Sequence, residues 1–68
     1  DFRFVRGENV RFRALPSTKA TILAFHLVDG QMLEVLDASN PDWLHVTVVA
    51  GGAEGWVSRK YTRKFALN

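Results

Sequence analysis

The chain has no cysteine, two prolines and one methionine among its 68 residues. Without thiols, no disulfide can staple a small fold and no thiolate can hold a structural metal. A cysteine-free domain suits cytosol and exterior alike, so the compartment stays open. Long apolar runs are missing as well: nothing approaches the ~20 residues that a membrane-spanning helix needs, and no membrane span is expected. A large excess of one charge is also absent. Nine basic and seven acidic residues leave a formal net charge of +2, which favours solubility and attracts anions only mildly. No signal peptide is visible, and the start at Asp1 rather than Met raises the expectation of a piece excised from a larger protein or of a processed product.

What is present is a hydrophobic fraction of 47%, far above that of a disordered tail. One domain is expected over residues 1–68. A chain of this size buries only about 60% of the surface its unfolded form exposes, so the core must be small and well filled. Apolar and polar residues alternate along most of the sequence, and helical periodicity is hard to find. An all-β domain follows.

Phe2–Val5 reads as a short first strand and Gly7–Asn9 as a turn. Val10–Ala14 reads as a strand with Val10 and Phe12 inside and Arg11 and Arg13 outside. Arg13 is expected to reach back to a carboxylate or to loop carbonyls, and Phe2 and Phe4 are expected to join Phe12 in the core. Pro16–Lys19 breaks the pattern, because proline has no N–H for a ladder. Thr21–Phe25 is a second apolar stretch, and the Asp29-Gly30 turn introduces a strand over Gln31–Asp37. After the loop Ala38–Asp42 comes Trp43–Val49, with Leu44, Val46 and Val48 on one face and Trp43, His45 and Thr47 on the other. Gly51-Gly52 marks a hairpin, Gly55–Val57 the returning strand, Ser58–Tyr61 a single 3-10 turn, and Arg63–Leu67 a closing strand. Five to six short antiparallel strands in so small a chain predict a barrel, since closure removes exposed edges.

Four stretches in order, VRFRALPS, Asp29-Gly30 before an alternating strand, Trp43-Leu44-His45-Val46, and Gly55-Trp56-Val57-Ser58 with Tyr61, resemble the bacterial Src-homology-3 (SH3) domain family over about Val5 to Arg63. Arg11 stands where that family usually has asparagine, and Leu15 where glycine commonly precedes the proline. The acidic run and the Trp-Ile-Pro segment of the eukaryotic branch are missing, with Ser58 in place of that proline. The resemblance implies an SH3-like barrel serving as a non-catalytic binding or targeting module, with a peptide, a cell-wall (peptidoglycan) peptide or a protein partner as ligand. It also implies a bacterial envelope or extracellular setting, with a cytoplasmic scaffold in a signalling protein as the alternative. As an isolated domain the chain is expected to be monomeric.

The residues themselves offer little chemistry. His26 and His45 are the two histidines, and no nucleophile motif accompanies them, so no catalysis is expected. Two distant histidines do not make a metal site, and neither metal nor cofactor is expected. Gly51–Gly55 lacks the lysine and the Ser/Thr of a phosphate loop. Arg3, Arg6, Arg11, Arg13, Arg59, Lys60, Arg63 and Lys64 would have to carry any nucleic-acid interface, but the acids nearly balance them, which disfavours that partner. Trp43 is the residue with most promise. Alternation turns it away from the interior beside a polar loop, where a rigid aromatic makes a ligand platform; the competing reading has it cap the barrel's open end. The resemblance aligns Trp43 with the groove tryptophan of eukaryotic relatives. The expected ligand site is therefore Trp43 with His45 and Thr47, joined by Asp42, Tyr61 and the loop Pro16–Lys19, while Trp56 is expected to be structural.

Overall fold

A computed structural model of the chain describes residues 1–65. It is all-β, with five strands: β1 (Phe2–Val5), β2 (Met32–Asp37), β3 (Trp43–Val48), β4 (Glu54–Ser58) and β5 (Thr62–Lys64). A single 3-10 turn, Arg59–Tyr61, joins β4 to β5. All pairings are antiparallel and the sheet runs β4-β3-β2-β1-β5. Residues 6–31, between β1 and β2, form an arc that packs over this sheet and completes a small barrel.

β3 shows how the pattern dictates the fold. Leu44, Val46 and Val48 are buried, as alternation requires, and with Leu33 of β2 and Val57 of β4 they fill the barrel. The β3–β4 hairpin turns through Gly51 and Gly52, both at positive φ (100° and 78°), a conformation that a Cβ disfavours. Within β2, Val35 faces Val46 but Asp37 faces His45, so Leu36 is an inserted bulge residue pushed out to solvent.

Three expectations from the sequence need correction. Val10–Ala14 is not a strand. It is joined to its neighbours through isolated bridges instead, Val10 to Leu27 and Arg13 to both Ile22 and Trp56. Its sidedness is nevertheless as alternation indicates: Val10 and Phe12 are buried, Arg11 is exposed and Arg13 half-buried. Second, the closing strand is Thr62–Lys64 rather than Arg63–Leu67; Phe65 lies past its end, and residues 66 and 67 fall outside the described residues. Third, Phe2 and Phe4 are not core residues. β1 turns Arg3 and Val5 inward, so both phenylalanines lie on the outer sheet face, where the Phe4 ring packs 5.2 Å from that of Phe65.

The arc also shields the otherwise free edge of β4. Arg13 and Trp56 exchange both backbone hydrogen bonds (2.8 and 2.7 Å), so β4 has partners on both sides.

Candidate functional site

Trp43 opens β3 directly opposite Ser58, the last residue of β4. Its position depends on the preceding loop. The Asn40 side-chain oxygen accepts the N–H groups of Asp42 (2.8 Å) and Trp43 (3.1 Å), the Asx-turn geometry for which asparagine is suited. Arg59 then fastens this loop from the 3-10 turn. Its guanidinium donates to the carbonyls of Ala38 (2.9 Å), Asn40 (2.8 Å) and Pro41 (3.0 Å), and its backbone N–H donates to Asp42 (2.9 Å).

Beyond Arg59 the same turn presents Lys60 and Tyr61. Facing them across a gap is the start of the arc, where Asn9 adopts a left-handed conformation (φ 53°). The gap is a groove of about 330 Å³ with Trp43, Ser58, Lys60 and Tyr61 along one wall. Glu8, Asn9, Arg11 and Arg13 line the other wall, and Thr18 contributes as well. Past Thr18 and Trp43 the depression continues to Pro41, Asp42 and Arg59.

Of the residues expected at the site, Trp43, Tyr61 and Asp42 therefore share one continuous depression, and Thr18 of the loop Pro16–Lys19 joins them. His45 and Thr47 do not line it. They follow Trp43 along the outer face of β3, away from the flanking loops. His45 stacks on Trp56 (centroids 4.8 Å apart, rings 15° from parallel), and its Nε2 lies 2.9 Å from a Glu54 carboxylate oxygen. Thr47 stands between Glu34 and Glu54 in the ladder. Asp37, opposite His45, accepts the Ser39 N–H (2.9 Å); that bond, helped by the Ser39 hydroxyl and by His45, holds its carboxyl below the usual carboxylate range.

Sequence reasoning missed Glu8, Asn9, Arg11, Arg13, Ser58 and Lys60 as residues of this groove. Gly7–Asn9 carries a turn signal, but the bridges that swing this turn across from Tyr61 join residues far apart in the chain. No local pattern encodes them.

Basic residues outside the groove have other surroundings. Arg3 lies beneath the 3-10 turn and donates from Nε to the Thr62 hydroxyl (2.8 Å), which donates to the Arg59 carbonyl (2.9 Å); burial, and then the nearby Arg59 charge, lower the Arg3 pKa. Arg13, in the groove wall, donates to the Ala20 carbonyl (3.0 Å). Arg6 and Arg63 line a separate depression with Asp29. Among the described residues, no cluster of three or more His, Asp or Glu is placed to hold a metal ion, and no helix is long and apolar enough to cross a membrane.

Comparison with protein-family models, curated proteins and solved structures finds no match.

Proposed function

We propose that the domain is a non-catalytic binding module that takes a short peptide, from a cell-wall polymer or a protein partner, into the Trp43–Tyr61 groove. The observation that carries this reading is the placement of two aromatic side chains in one groove whose walls are tied to the barrel by the Arg59 clasp and the Arg13–Trp56 bridge. Loops on a rigid scaffold supply binding surface at little ordering cost. Tryptophan and tyrosine add large contact area with few rotatable bonds. Neither His26 nor His45 lines the groove, and Ser58 has no histidine beside it there to act as a base, which supports binding without turnover. The resemblance noted in the sequence supports a bacterial envelope setting.

So small a site implies an affinity on the order of micromolar or weaker, with tighter capture achieved by avidity. The test is titration with peptidoglycan fragments while backbone amide shifts are followed. Shifts are expected to cluster at Trp43, Ser58, Tyr61 and the start of the arc. Trp43→Ala, with its fold verified by the dispersion of the same spectrum, is expected to weaken binding about tenfold or more, as loss of a central aromatic anchor does. Shifts centred elsewhere, or unchanged affinity in the variant, would remove the groove from the function.

A further inference from the structure

We propose that the groove selects an acidic peptide, one with carboxylate side chains next to an apolar residue; the proposal rests on the reading of this groove as a peptide site. Three cations, Arg11, Arg13 and Lys60, line the aromatic part of the groove, and Arg59 lies in its extension. Among the described residues none of the four is paired with a carboxylate; the ion pair found there is His45–Glu54, outside the groove. Arg13 and Arg59 are held by neutral carbonyls, which fix the guanidinium groups without cancelling their charge. Arg11 and Lys60 are exposed, and Lys60 Nζ lies 5.2 Å from the centre of the Tyr61 ring. A carboxylate entering beside Tyr61 would thus meet positive charge from both walls while an apolar neighbour covers the rings.

The charge pattern also limits the length of the anion. Glu8 lies in the groove and Asp42 in its extension, so negative charge interrupts the positive track. A nucleic-acid strand needs a track that continues from phosphate to phosphate. A short peptide with one or two acidic residues does not.

The experiment uses end-blocked peptides Ala-Glu-Glu-Leu-Ala, the same sequence with glutamine at both glutamates, and the same with lysine, each titrated into the chain at low salt by amide shifts. Oligo-thymidylate is titrated alongside. The glutamate peptide is expected to shift Trp43, Lys60 and Tyr61 and to bind about fivefold tighter than the glutamine peptide, the size of two exposed ion pairs. The lysine peptide is expected to be weakest. Arg11→Gln with Lys60→Gln is expected to bring the glutamate peptide down to the affinity of the glutamine peptide, and added salt to act in the same direction. If all three peptides bind the groove alike, acidic selection is overturned while the peptide site stands. If none moves the groove amides, the peptide-site reading falls and this proposal with it. Tighter binding of the oligonucleotide at the same amides would overturn the proposal in favour of a nucleic-acid ligand.

Discussion

Gly55 lies where β4 passes closest to the arc, and its lack of a side chain has a spatial cause. A Cβ there would stand 2.8 Å from Leu23 Cδ1, 3.0 Å from Phe12 Cε1 and 3.0 Å from the Arg13 carbonyl oxygen. The leucine methyl could move aside. The carbonyl cannot do so cheaply, because it accepts the Trp56 N–H at 2.7 Å. Gly55→Ala is therefore expected to force arc and sheet apart and to cost about 1–3 kcal/mol, as overpacking of a filled core does. Urea denaturation would register this as a lower midpoint at unchanged slope, and an unchanged midpoint would show that the arc yields freely. Trp43 and His45 show the limit of reading single residues. Alternation puts both on the outer side of β3, but membership of the groove depends on which loops stand beside each one, and those loops are placed by distant contacts.

At the level of elements, β2, β3 and β4 and the 3-10 turn were legible because each follows a local rule: alternation, a glycine pair at positive φ, a short polar turn. The arc was legible in sidedness and not in pairing. Alternation reports which way a side chain faces, and an arc over a core has an inside and an outside just as a strand does. β1 is the opposite case, legible as the strand Phe2–Val5 but not in sidedness, since its Phe-Arg-Phe-Val pattern favours phenylalanine inward while its pairing with β2 and β5 turns Val5 in. The Arg59 clasp is a further element-scale feature with a measurable effect. Arg59→Gln keeps an amide donor but loses the reach and the charge that join three loop carbonyls. The expected loss is about 1 kcal/mol, discounted for solvent exposure, with faster hydrogen exchange at Asp42 and Trp43. Exchange at wild-type rates would show that the Asn40 turn holds the loop unaided.

For the whole molecule, the decisive fact is that the core is shared between sheet and arc. Val10, Phe12 and Leu27 of the arc are buried with Val5, Leu33, Leu44, Val46, Val48 and Val57 of the strands. Phe12 is among the largest fully buried side chains. Detaching the arc would expose these apolar groups and the strand residues beneath them, so the arc cannot melt as an independent unit. Thermal unfolding is expected to be one transition, with the fluorescence of Trp43 and Trp56 and the far-ultraviolet dichroism following the same curve. Separate midpoints would mean that the groove wall opens before the barrel does.

The pairing of β1 with both β2 and β5 also fixes an order in time. During synthesis β1 leaves the ribosome before either of its neighbours exists. The hairpin of β3 and β4 forms from adjacent residues as soon as it emerges, whereas β1 keeps one edge unpaired until Thr62–Lys64 have followed. The first strand made is thus the last to be completed, and the nascent barrel must wait for nearly its whole length before it can close.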